Sequence, residues 1–331
     1  MTAVLCSRLS AMGDLVHCLG AIVALHRERP EWQITVVTQS DFVDLLRGLP
    51  GVHRTVGFDR RGGLAALRRV RAELSEERYD HGLDLQGNWK SALILRLSGA
   101  RERIGAAAPW RREPSSRMLL HRTVEVAGTD HPALVAHALV RQLAPEVSFE
   151  PTRLEPDAAE VAAEATELQR LGIDASSPFR VIVVTDPRDP RALSPEVVAA
   201  ETVASPHPVV HLFGPAEAQL LAAGAVALRH GPGSVRRLVA LGNLVAAAGG
   251  EVLGPDQGAS HVLAAAGAPC RLWFGAQDPA RTAPVLATAL VHRDPPACSP
   301  CRRRRCNHEA GPVCRSFSAA EARIVPFTPP T

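Results

Sequence analysis

The chain has 331 residues, 46% of them hydrophobic and 21% charged, with a formal net charge of +3. This balance excludes a disordered or fibrous protein, and the basic excess is too small for a nucleic-acid-binding surface. No apolar run approaches the roughly 18 residues of a membrane helix, and Arg8 cuts the amino-terminal run too early for a signal peptide. The expectation is a cytoplasmic protein that touches a membrane, if at all, only at its inner face.

The length favours two domains of roughly 150 residues each. Strands are predicted at residues 3–6, 33–38, 52–56 and 82–85, with helices at 15–27, 42–46, 64–77 and 90–97. Short apolar strands alternating with helical patterns mark parallel βαβ units. Residues 100–130 read as irregular and arginine-rich, with Arg101, Arg103, Arg111, Arg112, Arg117 and Arg122 on loops, and a helix follows at about 131–143. A Pro- and Glu-rich stretch at 145–156 breaks the pattern before a helix at 158–171, which places a boundary between residues 1–156 and 157–331. Strands then recur at 180–185, 208–213, 225–228, 243–248 and 270–274. The reading is an α/β chain of two Rossmann-like domains with parallel sheets. Ligands of such sheets bind beyond the carboxyl ends of the strands, so two of them facing one another would enclose an interdomain cleft.

Candidate chemistry therefore lies just after strands. The first strand runs into Ser10-Ala11-Met12-Gly13-Asp14, which puts a carboxylate at the opening of a helix. Asp14 there is either a helix cap worth about 0.5–2 kcal/mol or a general base. In the second half, Gly254-Pro255-Asp256-Gln257-Gly258-Ala259-Ser260-His261 leads into an apolar helix at 262–266. Amides at such a turn, with the helix dipole, suit a diphosphate, and His261 can donate to a phosphate oxygen. A plain strand-to-helix connection is the alternative.

Taken together, Ser10-Ala11-Met12-Gly13-Asp14, Asp84-Leu85-Gln86-Gly87, Asp256-Gln257-Gly258-Ala259-Ser260-His261 and Phe274-Gly275-Ala276-Gln277-Asp278-Pro279 resemble the ordered signatures of glycosyltransferase family 9, the ADP-heptose:lipopolysaccharide heptosyltransferases. The resemblance implies a GT-B fold and an inverting transfer of heptose from ADP-heptose to a lipid-linked or oligosaccharide acceptor. It makes Asp14 the base that takes the acceptor hydroxyl proton, and Asp256, Gln257, Gly258 and His261 the nucleotide segment. The match for a phosphate-binding basic residue is Arg191, with Arg188 a rival. Arg191-Ala192-Leu193-Ser194 stands where the family often has Lys-x-Trp-Pro, and Gln257 stands where it usually has Thr or Ser. Glu217 matches an acidic position that meets the ribose, or is an exposed carboxylate at a helix start. Thr282 shapes a loop nearby. Arg60, Arg61, Lys90 and the arginines of 101–122 are acceptor-binding candidates, because guanidinium groups suit carboxylate and phosphate.

Of seven cysteines, Cys6, Cys18 and Cys270 read as buried thiols, while Cys298, Cys301, Cys306 and Cys314 cluster in the carboxyl-terminal tail. The cluster could hold zinc or an iron–sulfur centre, close a disulfide, or consist of unligated thiols. Tails beginning Cys-x-Pro-Cys also occur in some heptosyltransferases. The transfer itself requires no cofactor. Two other readings stay open: a GT-B enzyme with a different nucleotide sugar, and a non-catalytic protein whose tail contacts nucleic acid or a partner.

Overall fold

The computed structural model describes residues 1–126, 128–214, 226–229 and 235–327. The chain divides into two compact units, Met1–Thr152 and Arg153–Thr328. The first contains β1 (Ala3–Ser7), α1 (Met12–Glu28), β2 (Gln33–Gln39), β3 (Val52–Phe58), α2 (Gly63–Leu74), β4 (His81–Asp84), α3 (Trp89–Leu97), β5 (Glu102–Ala106), β6 (Arg122–Val124) and α4 (Pro132–Val140). All its strands are parallel, in the order β3-β2-β1-β4-β5-β6. The strand order reverses between β1 and β4, which puts a topological switch point beyond Ser7 and Asp84.

β1 and β2 are apolar runs because helices cover both faces of the sheet. Val4, Leu5, Cys6, Ile34, Val36 and Val37 are fully buried, each large aliphatic side chain contributing about 1.5–3 kcal/mol. Helix α1 repeats apolar residues at helical spacing (Leu15, Cys18, Leu19, Ile22, Leu25), all solvent-free, and packs on α4.

The second unit contains α5 (Ala158–Arg170), β7 (Arg180–Val184), α6 (Pro195–Val203), β8 (Val209–Phe213), β9 (Val226–Arg229), α7 (Val235–Ala247), β10 (Glu251–Pro255), α8 (Gly258–Ala265), β11 (Cys270–Phe274), α9 (Pro279–Thr282), β12 (Thr288–His292) and β13 (Ala322–Val325). Asp157 and Glu160 close a reciprocal cap that starts α5, with Asp157 Oδ1 accepting from the Glu160 amide at 2.8 Å and Glu160 Oε2 from the Asp157 amide at 3.0 Å. The strand order is β13-β12-β11-β10-β7-β8-β9, parallel except for the antiparallel pair β12–β13. Its switch point lies between β10 and β7.

Two expectations are corrected. The strand expected at 243–248 is the last part of α7, and the strand of this region is β10. Asn243-Leu-Val-Ala-Ala-Ala is a short apolar run, which alone does not separate strand from buried helix. Gly249, at φ 71°, ends the helix and lets the chain turn into β10. Residues 100–130 are not wholly irregular: they hold β5 and β6, whose apolar content is diluted by arginines. The tail adds β13 along β12, a hairpin-like edge the βαβ pattern did not foretell.

Candidate functional site

In the first unit, the chain leaves β1 at Ser7 and enters α1 with Asp14 in its first turn. One Asp14 oxygen accepts from the Ala11 amide at 3.3 Å and pairs with the Arg8 guanidinium at 2.5 Å. Asp14 is thus a helix cap as well as a candidate base. Burial pushes its carboxyl upward, but Arg8, the Ala11 amide and Arg112 outweigh this and hold it below the usual carboxylate range. The group is ionised at neutral pH, and its side chain retains 21% exposure while that of Arg8 retains 5%.

The turn after β4 supports this loop. Gln86 Oε1 accepts from the Leu9 amide at 2.7 Å, and its Nε2 donates to Ser10 Oγ at 3.3 Å. Arg8 also donates to the Leu85 carbonyl. Below them, Asp84 Oδ1 accepts from the Gln86 and Gly87 amides at 3.1 and 2.9 Å, and Oδ2 pairs with Arg111 at 2.9 Å. The Asp84–Arg111 pair is solvent-free, with side-chain exposures of 0% and 1%. The segment Asp84-Leu85-Gln86-Gly87 is the brace that carries the Ser7–Asp14 loop.

Arg60, Arg61 and Lys90 are exposed at the carboxyl-terminal ends of β3 and β4, on the same sheet edge as Asp14. Arg60 reaches Gln39 Oε1 at 3.4 Å. Several loop arginines hold structure: Arg101 pairs with Asp80, Arg103 donates to the Leu119 carbonyl, Arg122 pairs with Glu102, and Arg111 supports Asp84. Arg117 lines a cavity of about 440 Å³ with Ala107, Ser115, Thr123 and Glu125 beyond β5 and β6.

In the second unit, residues following β7 and β10 converge at that sheet's switch point. His261 Nε2 lies 2.9 Å from Asp256 Oδ1, and Thr282 Oγ1 donates to Asp256 Oδ2 at 2.9 Å. Gln257 precedes the first turn of α8 without capping it; its Nε2 turns to Thr185 Oγ1 at 3.2 Å and Asp189 Oδ2 at 3.4 Å. Asp189 in turn binds Arg191 through Oδ2 at 2.6 Å. Burial raises the Asp189 carboxyl, yet the Arg191 bonds, with Arg315 behind, bring it below the ordinary range. Asp189 bonding and the Asp256 charge likewise raise Arg191. The structure thus groups Arg191, Asp256, Gln257, Gly258 and His261 with Thr185, Asp189 and Thr282.

Arg188 is set apart. It folds back on Asp186, donating to both carboxylate oxygens, and draws that carboxyl down to about 2, while its own side chain is 89% exposed. Glu217 lies outside the described residues.

The structure gives the zinc and iron–sulfur expectation no support. Among the described residues no three His, Cys, Asp or Glu side chains are arranged to hold a metal ion. Cys314 packs inward while Cys298 and Cys306 face solvent and Cys301 is half-buried. Cys6, Cys18 and Cys270 are buried as expected. No described helix is long and apolar enough to cross a membrane.

The profile of glycosyltransferase family 9 (heptosyltransferase) matches residues 67–186, a span that includes the Asp84-Leu85-Gln86-Gly87 brace. Over that span the chain is similar to glycosyltransferase family 9. Lipopolysaccharide heptosyltransferase 1 of Pseudomonas aeruginosa is 29% identical over 137 residues, and the match spans only 39% of each chain. A family 9 glycosyltransferase from Veillonella parvula superposes with a TM-score of 0.74 at 16% identity, covering 87% of this chain and 84% of that one. The ADP-heptose lipopolysaccharide heptosyltransferase II of E. coli does so at 0.70 and 18%, covering 88% and 90%. These likenesses establish the fold as GT-B, with two Rossmann-like units.

Sequence reasoning singled out Asp14 but missed Arg8, Thr185 and Asp189, which hold named candidates, and it placed Arg111 on the acceptor side, where the structure instead buries it against Asp84. Thr185 and Asp189 stood in the Thr185-Asp186-Pro187-Arg188-Asp189-Pro190-Arg191 run, where alternating acid and base already signals local pairing. Arg8, and the structural role of Arg111, carried no signal among so many arginines.

Proposed function

We propose that this chain is an inverting glycosyltransferase of family 9 that moves heptose from ADP-heptose to a lipopolysaccharide core or related glycan, at the cytoplasmic face of the membrane. The observation that carries the reading is Asp14: a carboxylate kept ionised by Arg8 at the carboxyl end of β1, and still open to solvent. In the reaction, Asp14 accepts the proton of the acceptor hydroxyl as its oxygen bonds to the anomeric carbon. The bond from that carbon to the diphosphate oxygen breaks on the opposite face, and ADP leaves with the electron pair. A well-placed base of this kind contributes about 10² to 10⁴ in rate.

The second unit supplies the leaving-group site. The first-turn amides of α8, together with Arg191 and His261, favour the charge that develops on ADP. Asp256 orients His261, with Thr282 bound to the other carboxylate oxygen. Arg60, Arg61 and Lys90 are the acceptor-side cations.

The test is ADP release from ADP-heptose in the presence of glycan acceptors, with Asp14→Asn as the decisive variant. Loss of transfer by about 10² or more, with ADP affinity retained in calorimetry, is expected. Parent-level turnover by Asp14→Asn refutes the assignment of the base.

A further inference from the structure

The tail that carries the clustered cysteines is bonded at both of its ends to loops of the second unit's site. At its start, Ser299 Oγ donates to the Gly275 carbonyl at 2.7 Å, and the Arg302 amide donates to the Ala276 carbonyl at 2.7 Å. The Arg302 guanidinium adds a bond to Asp278 Oδ2 at 3.0 Å. At its end, Cys314 lies so close to the same strand exit that a Cβ on Gly275 would sit 2.8 Å from the Cys314 carbonyl oxygen. Only a residue without a side chain admits that approach.

The next residue, Arg315, reaches the other loop. It is 5% exposed. Its Nη1 donates to the carbonyls of Asp189 at 2.6 Å and Ala192 at 3.2 Å, and its Nη2 to the Pro187 carbonyl at 2.6 Å. The loop presents these carbonyls together because it curls through two tight turns, the Asp189 amide bonding the Asp186 carbonyl at 2.9 Å and the Ala192 amide that of Asp189 at 3.0 Å. A guanidinium is a planar fork with five donors and serves three converging carbonyls at once. An ammonium on a flexible stem lacks that geometry.

We propose that Arg315 is a positioning residue for the sugar-nucleotide diphosphate, acting through the 187–192 backbone. By holding the Asp189 carbonyl it fixes the residue whose carboxylate binds Arg191 and receives Gln257. Gln257 is the residue at which α8 begins. One tail side chain thereby sets both the cation and the helix amides that meet the leaving group. The proposal rests on the donor reading given above, and it gives the tail a role in that site which requires no ligand on the cysteines.

The test uses the full chain with Arg315→Lys and Arg315→Ala, and Arg180→Gln as control. Arg180 is another buried arginine of the same unit, bonded to Glu251 and the Glu201 carbonyl at the opposite end of β7. Three readouts are taken: hydrogen exchange of the 186–192 amides, ADP affinity by calorimetry, and kcat and KM for donor and acceptor. Both Arg315 variants are expected to exchange these amides at least about tenfold faster, and to weaken ADP binding and raise the donor KM by a similar factor, with acceptor KM unchanged and kcat changed far less. This corresponds to about 1.4 kcal/mol of binding. Arg180→Gln is expected to lower the melting temperature while leaving ADP affinity within about twofold, well under 1.4 kcal/mol.

Unchanged exchange in Arg315→Lys overturns the positioning role, as does an equal loss of ADP affinity in Arg180→Gln. Faster exchange with parent-level ADP affinity overturns the link to the donor. A parent chain that binds no ADP overturns the donor reading itself, and the exchange measurement then still decides whether Arg315 holds the loop.

Discussion

Replacing Arg111 with Met tests whether the solvent-free pair with Asp84 supports the loop that carries Asp14. Arg111 donates through Nε to the Ala106 carbonyl at 3.0 Å and through Nη1 to Asp84 at 2.9 Å and Ser116 Oγ at 2.7 Å. Methionine fills much of the same volume but leaves Asp84 buried beside two amides without its counter-charge. Breaking one partner of a buried pair costs about 3–5 kcal/mol. In the Met1–Thr152 unit this corresponds to a fall in melting temperature of roughly 6–20 °C.

Asp84→Asn alone keeps an acceptor for the Gln86 and Gly87 amides and should cost less than Arg111→Met. Combining the two removes the stranded charge, so the double variant should be more stable than Arg111→Met alone, a non-additivity of at least about 1 kcal/mol. Calorimetric unfolding of the four proteins gives the cycle. A cost below about 1 kcal/mol for Arg111→Met, or strict additivity, would refute the reasoning. Because Gln86 binds Leu9 and Ser10 from this turn, Arg111→Met should also lower kcat at temperatures where the unit is still folded.

Two further outcomes follow from local electrostatics. With Arg8→Gln, burial continues to raise the Asp14 carboxyl while its main counter-charge is gone, so the acid limb of the pH–rate profile should move to higher pH. The sign is fixed by the lowered native value: activity and the pair's stabilisation are full above the ordinary carboxylate range and are lost as pH falls through the depressed one, and a limb at the parent position refutes the pairing. A chromogenic thiol reagent should modify exposed Cys298 and Cys306 in the folded protein within minutes, whereas Cys6 and Cys18, pushed up by burial to about 12 and about 11, and buried Cys270 should react only on unfolding; prompt reaction of all seven would contradict the packing.

Most strands were legible because parallel sheets covered on both faces require apolar runs, and Val4-Leu5-Cys6 or Val181-Ile182-Val183-Val184 admits little else. The run 243–248 misled for the same reason, since a helix with most of its faces buried carries an equally dense apolar run; α7 buries Leu238, Val239, Leu241, Leu244 and Val245. Only Ala248, Gly249 and Gly250 separate α7 from β10. β5 and β6 were hidden by composition: Glu102, Arg103, Arg122 and Thr123 sit at their starts, with Arg122 paired to Glu102.

The candidate site was legible where a residue's place in the chain and its chemistry coincide. Asp14 and His261 each follow a strand at the start of a helix, and that local fact survives in one dimension. What did not survive is the partner of each group, because Arg8–Leu85, Asp84–Arg111, Gln257–Asp189 and Arg315–Pro187 join segments far apart in sequence. Arginine is the residue least informative about its own role here: of those following strands or set in loops, Arg8 tunes a carboxylate, Arg111 neutralises one, Arg188 merely folds onto Asp186, and Arg315 gathers carbonyls. The charge is the same in all four, so what distinguishes them is burial and the geometry of the acceptors. A buried guanidinium must find several fixed acceptors to offset its desolvation; Arg8, Arg111 and Arg315 find theirs in the loops that carry the candidate site, whereas buried Arg180 finds them at the opposite end of β7.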